Sequence, residues 1–170
     1  LDAYIISVEI CCKKLIILKN ELNFIATYIG RNNRSNLMAN LQFQTNSPIE
    51  PEKLMSYITD FENYQKFFPH QIKSIKILDR QDNETTTEET IIFSTLIKSA
   101  FVQKSHHKLI SDKELFTEII EGPAKGSMIK IICTKNDQET QIKFDVNLKL
   151  SLKAKFLGPF IKKLYKRYLV

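Results

Sequence analysis

The amino-acid sequence predicts an α+β fold in which an antiparallel sheet of seven strands is covered on its apolar face by a long C-terminal helix. Three observations carry that prediction. Six strand-like segments follow one another from Ile72 to Leu150 with turn residues between them. A dense helix-start signal, Asn46–Lys53, separates them from one earlier strand, and the stretch from Lys153 to Val170 is amphipathic. A sheet with one apolar face must bury that face against another element, and the terminal helix is the obvious cover. With 170 residues, 43% hydrophobic and 26% charged, the chain is long and apolar enough for one domain with a segment attached. Such a domain buries about 68–70% of its unfolded surface, which excludes a disordered or a disulfide-stapled protein.

Leu41-Gln42-Phe43-Gln44-Thr45 alternates apolar and polar side chains, the period of a half-buried strand. Ser47 and Glu50 then have capping-box spacing, and Pro51 suits the first helical position, where its missing N–H is not needed. Leu54, Ile58 and Phe61 recur at i, i+4 and i+7 with Met55 beside them, so a short helix presents one apolar stripe. A second helical piece over Phe61–Phe68 is interrupted by Pro69. Strands are expected at Ile72–Leu78, Thr90–Ile97, Phe101–Ile110, Leu115–Glu121, Met128–Thr134 and Thr140–Leu150. The acidic stretch Asp79–Glu89 is read as a long turn, and Gly122-Pro123-Ala124-Lys125-Gly126 as a hairpin loop. The last strand has the clearest pattern, because Ile142, Phe144, Val146, Leu148 and Leu150 alternate with Gln141, Lys143, Asp145, Asn147 and Lys149. In the terminal helix Leu157, Ile161, Leu164 and Tyr168 line one face with Phe156 and Phe160 beside it, and Gly158-Pro159 kinks it or marks its beginning.

The net charge of +6 is concentrated at one end. Residues 146–170 carry seven basic and no acidic side chains, whereas the other 145 have 18 basic and 19 acidic. A uniformly basic nucleic-acid binder is therefore not expected; the body is near-neutral and the tail cationic. Lys155, Lys162, Lys163, Lys166 and Arg167 lie largely on the wet face of the terminal helix. They solvate that face, or attract anionic lipid headgroups at about 1 kcal/mol each, or contact RNA or the ribosome.

Residues 1–37 hold short apolar runs and a polar end, and Met38 follows them. They are expected to be an extension that is not part of the native product, with the ligand-binding domain at 38–170. The competing reading is an amphipathic anchor helix. Cys11, Cys12 and Cys133 form no CxxC pair and fit a reducing compartment, no secretory signal is evident, and no apolar run approaches the ~20 residues that span a bilayer. A cytoplasmic protein, peripheral to a membrane at most, is expected.

The order of elements, together with Ser47-Pro48-Ile49-Glu50-Pro51-Glu52-Lys53-Leu54, Ile58-Thr59-Asp60-Phe61-Glu62-Asn63-Tyr64 and Phe67-Phe68-Pro69, resembles the START-like superfamily with its helix-grip (Bet v 1-like) fold. The Gly122-Pro123 loop and Leu157-Gly158-Pro159 fit as well. More narrowly the chain is similar to the polyketide cyclase/dehydrase-like and coenzyme-Q-binding group, over about residues 41–170. It departs from many relatives at Gln65, where they carry proline, and in having no Trp. The resemblance implies a curved sheet around the terminal helix, enclosing an apolar cavity. Candidate liners are Phe93, Phe101, Ile119 and Ile131 on the middle strands, Phe144, Val146 and Leu148 on the last strand, and Phe160 and Leu164 on the helix. Packing of the same side chains into a solid core is the alternative.

Chemistry-bearing residues are few. Successive strand residues point to opposite faces, so His106 and His107 cannot readily chelate one metal, though one of them could enter the cavity as a polar group or general acid/base. No metal-ligand spacing, no P-loop spacing around Gly122–Ser127 and no Ser-His-Asp or Cys-His arrangement appears, so neither metal nor cofactor is expected. The functional expectation is non-catalytic binding or transport of a hydrophobic lipid, isoprenoid or quinone between sheet and helix. The alternatives are a polyketide cyclase/dehydratase-like enzyme and an interaction protein of the ribosome-associated toxin type.

Overall fold

The computed structural model describes residues 36–67, 69, 72–93 and 99–151. Strand β1 (Asn36–Ser47) leads into helix α1 (Pro51–Ile58), a 3-10 turn (Phe61–Asn63) and helix α2 (Tyr64–Phe67). Six strands follow: β2 (Ile72–Gln81), β3 (Glu84–Phe93), β4 (Ser99–Ser111), β5 (Glu114–Glu121), β6 (Met128–Asn136) and β7 (Glu139–Ser151). They form one antiparallel sheet in the order β1-β7-β6-β5-β4-β3-β2. The meander from β2 to β7 is thus closed by β1 lying beside β7, and the helices make the crossing between the two edges. Bulges between Ile72 and Ser74, Ile77 and Asp79, Lys104 and Ser105, and Leu109 and Ser111 bend the strands.

Among the described residues the predicted order of elements is therefore the observed one, with three main differences. First, β1 starts at Asn36 rather than Leu41, and Leu37 pairs with Leu150. Second, the long turn expected over Asp79–Glu89 is a correction. Only Asp82 and Asn83 turn the chain, Asp82 at a φ of 30°, and Thr85–Glu89 are already strand. Threonine is β-branched and suits a strand; the run lacks apolar alternation because its inward side chains, Thr87 and Glu89, are themselves polar. Third, the capping box does not form. The N-cap Glu50 makes no side-chain cap and instead pairs with Lys135, while the buried Ser47 hydroxyl accepts the Ile49 N–H at 3.2 Å. Pro51 does take the start of α1, as its fixed φ and missing N–H favour. The expected terminal helix, residues 94–97 and residues 1–35 lie outside the described residues.

Cross-strand register shows how the inner face is built, because directly paired residues share a face. One row across the sheet reads Phe43, Phe144, Ile131, Leu115 and Leu109. It is apolar throughout, and the Phe43 and Phe144 rings stack at 4.6 Å. Helix α1 lays Leu54 and Met55 on this row, with Ile142 and Cys133 completing a packed core. The next row reads Leu41, Val146, Ile129, Thr117, His107 and Thr85, apolar on one side of the sheet and polar on the other. Beyond it Ile119 faces Ser105, which faces Thr87.

The β5–β6 loop closes that end of the sheet. Gly126 N–H donates to Ile119 O at 2.7 Å, and the buried Ser127 hydroxyl holds Lys149 through both its N–H and its carbonyl at 2.8 and 3.0 Å. Gly122 sits at a φ of +106°, and a Cβ there would lie 2.9 Å from the Val102 carbonyl oxygen on β4. Gly122→Ala is therefore expected to lower stability by about 1–3 kcal/mol, read as a lower urea midpoint at unchanged slope. An unshifted midpoint would contradict this close approach.

Candidate functional site

His106 and His107 part company on β4. His106 is on the outer face, where Nδ1 meets Thr86 Oγ1 at 3.2 Å and Nε2 lies 3.4 Å from Glu84. Glu84 also takes Lys108 at 2.6 Å, so His106 belongs to a solvated ion-pair cluster. His107 is turned inward and is only 7% exposed.

Around His107 the inner face carries a buried polar cluster contributed by three adjacent strands: Thr87 and Glu89 on β3, Gln103, Ser105 and His107 on β4, and Thr117 on β5. Each is placed by the two-residue strand period and by direct pairing, Thr87 with Ser105, Glu89 with Gln103 and His107 with Thr117. Glu89 Oε1 accepts the Thr87 hydroxyl at 2.6 Å. Its Oε2 accepts the Gln103 amide at 2.9 Å and the Ser105 hydroxyl at 3.1 Å. Thr87 Oγ1 is also 2.9 Å from His107 Nε2, which lies 3.6 Å from Glu89 Oε1, and Thr117 Oγ1 is 2.9 Å from His107 Nδ1. Burial alone would push the Glu89 carboxyl up, but the His107 imidazole and the Thr87 and Gln103 donors outweigh it and hold the group below its usual 4.5.

The 3-10 turn covers part of this cluster. Phe61, itself buried, stacks on the His107 ring at 4.1 Å and meets Tyr64 edge-on at 5.4 Å. Asp60 holds the turn by accepting the Asn63 amide on both carboxylate oxygens, at 2.9 and 2.8 Å, and Glu62 ties it to β2 through Arg80 at 3.0 Å.

The sequence-predicted liners divide in two. Ile131 and Phe144 belong to the core packed under α1, whereas Ile119, Val146 and Leu148 are buried but lie outside that packed cluster. Phe101 is half-buried on β4, opposite Ile91. Phe93 ends β3 opposite Ser99. Phe160, Leu164, Lys155, Lys162, Lys163, Lys166 and Arg167 lie outside the described residues. Glu89, Thr87, Gln103, Ser105 and Thr117 were missed by pattern reasoning. A signal for them existed, since Gln103, Ser105 and His107 follow the period of two on a strand whose other face carries Val102, Lys104 and His106.

Burial pushes the Cys133 thiol up to about 11 and removes it as a nucleophile. Among the described residues no group of His, Cys, Asp and Glu could hold a metal ion, and no helix is long and apolar enough to cross a membrane.

Solved structures share this architecture. An aromatase/cyclase, ZhuI from Streptomyces sp. R1128, is 11% identical with a TM-score of 0.58 over 66% of this chain and 68% of its own. A START superfamily protein from Mycobacterium smegmatis is 18% identical with a TM-score of 0.57, over 76% and 88%. The major latex-like protein 151 of Panax ginseng is 11% identical with a TM-score of 0.56, over 77% and 94%. At these identities the likeness is one of fold, the helix-grip fold of the START and Bet v 1 type. No curated protein matches the chain in sequence. The model of the family described as polyketide cyclase/dehydrase and lipid transport matches residues 47–169, a span that includes both helices, the polar cluster and all strands from β2 to β7. By that match the chain belongs to the polyketide cyclase/dehydrase and lipid-transport family of START-like proteins.

Proposed function

We propose that this protein binds and carries a hydrophobic small molecule, a lipid, isoprenoid or quinone-like compound, against the inner face of its sheet. The observation that carries the reading is the division of that face. Ile119, Val146 and Leu148 are buried yet lie outside the core that α1 packs, and Ile119 pairs directly with Ser105 of the polar cluster. An apolar strip ending in a few convergent polar groups is the usual character of a small-molecule site. Burial of ligand and strip together at about 25 cal/mol per Å² supplies the affinity. In this reading Phe93, Phe101, Phe160 and Leu164 complete the lining, and Lys155, Lys162, Lys163, Lys166 and Arg167 dock the protein on anionic lipid during exchange.

Cyclase or dehydratase chemistry is the second reading, favoured by the buried His107–Glu89 pair, since a catalytic acid/base sits in such surroundings. The hydrogen bonding of His107 supports carriage over catalysis. Both ring nitrogens are already engaged by Thr87 and Thr117 and the ring is stacked on Phe61, which leaves no nitrogen free for a substrate proton. The test is mass spectrometry under native conditions on protein purified without detergent. A stoichiometric apolar adduct, recovered intact after incubation, is expected. A preparation that is empty and takes up nothing from a total lipid extract would overturn carriage, and an adduct converted to a dehydrated or cyclised product would establish the second reading.

A further inference from the structure

We infer that the polar cluster selects a ligand whose polar end is a hydrogen-bond donor: the hydroxyl of a long-chain or polycyclic alcohol, or of a phenol. The inference rests on the proposed binding at the inner face and narrows its ligand class. It follows from an inventory of hydrogens. Glu89, held ionised, only accepts. Thr87 has one hydroxyl hydrogen, and at 2.6 Å it goes to Glu89 Oε1. Thr87 therefore meets His107 Nε2 as an acceptor, so the imidazole carries its proton on Nε2. Nδ1 is closed off on the other side by the Thr117 hydroxyl at 2.9 Å. Because a carboxylate cannot donate, the Gln103 amide must turn its nitrogen toward Glu89. One of its hydrogens goes to Glu89 Oε2 and the other to Ser105 Oγ at 3.2 Å. The single hydroxyl hydrogen of Ser105 goes to Glu89 Oε2.

The side-chain hydrogens of Thr87, Gln103 and Ser105 are thereby all engaged internally. What remains is accepting capacity, above all the Gln103 amide oxygen, which has no hydrogen-bond partner among the described residues although the residue is only 8% exposed. An acceptor so placed, on the strand that also carries Phe101 and one pairing away from Ile119, is satisfied by a ligand hydroxyl. An ether, ester or carbonyl at the same place would oppose acceptor to acceptor. A carboxylate fares worse, because among the described residues no buried polar side chain is Lys or Arg, and Glu89 is a few ångströms away. A site that hydrogen-bonds a substrate hydroxyl discriminates strongly against the analogue lacking it. A hydroquinone is accordingly preferred to its quinone.

The experiment uses the full chain and three amphiphiles of one chain length, dodecanol, methyl dodecyl ether and dodecanoate, each displacing bound Nile red at about pH 8, where carboxylates are ionised. Dodecanol is expected to bind at least about tenfold more tightly than either of the others. An ether equal to the alcohol, or a carboxylate equal or better, would overturn the inference while leaving apolar binding intact. Nile red bound but displaced by none of the three would also overturn it, and no binding of dye or amphiphile would overturn the proposed function as well. In Gln103→Leu the alcohol–ether difference is expected to shrink to less than about threefold. An undiminished difference would remove Gln103 from the role. Should that variant fail to fold, the comparison on the unaltered protein still decides.

Discussion

Replacing His107 with leucine is expected to lower the unfolding free energy by about 1–3 kcal/mol, the cost of leaving buried polar partners unsatisfied. The stranded group is Glu89, which is 8% exposed and loses the nearest imidazole together with the hydrogen bond that steadies Thr87. Restoring neutrality should restore much of the loss. The double variant His107→Leu/Glu89→Gln is expected to be more stable than His107→Leu alone, because an amide costs far less to bury than a carboxylate. Acid titration supplies an independent readout. The folded-state value of Glu89 is depressed below 4.5, so its contribution is fully present above the unfolded-state value and disappears as pH falls through the folded-state value. Below about pH 4.5 the unmodified protein should lose stability more steeply than Glu89→Gln. Urea midpoints across pH 3–7 measure both effects. A loss below about 1 kcal/mol for His107→Leu, with no recovery in the double variant, would mean that the cluster is solvated rather than buried.

That cluster also marks the limit of what the sequence discloses. The order β, two short helices, six strands follows from local patterns, because Leu54, Met55 and the even-numbered residues of β7 obey the helix and strand periods they occupy. The segment Thr85–Glu89 does not. Its inner residues are polar, so a reading that equates strand with apolar alternation takes it for a turn. Only the pairing of β3 with β4 shows that Thr87 and Glu89 are satisfied by Ser105, Gln103 and His107. Polar residues at inward strand positions are a local inconsistency that hides the strand from pattern reading. The two histidines were legible as a pair on opposite faces; which of them points inward was not, since β4 shows apolar residues on both faces, Phe101 and Leu109 on one and Val102 and Ile110 on the other. Nor could pattern separate Phe144 from Leu148. Both occupy the same face of β7, and only the position of α1 decides which of them packs into the core under that helix.

That last distinction yields a prediction of large effect. Phe144→Ala is expected to cost about 3–5 kcal/mol, since the ring is 2% exposed, stacks on Phe43 and packs with Leu54, Met55 and Ile131. None of these neighbours can collapse far into the vacated space, because each is held by the sheet register or by α1. Leu148→Ala, four residues along the same face, removes a side chain that lies outside this packed cluster and is expected to cost less by about 1–2 kcal/mol. Ligand response should run the other way. If Leu148 lines the binding strip, saturating dodecanol raises the melting temperature of Phe144→Ala as much as that of the unmodified protein, through preferential binding to the folded state. The same addition raises that of Leu148→Ala less. Paired thermal melts with and without the alcohol read both quantities. Equal stability losses would place Leu148 in the same packed core as Phe144. Equal ligand shifts in all three proteins would move the binding strip away from β7.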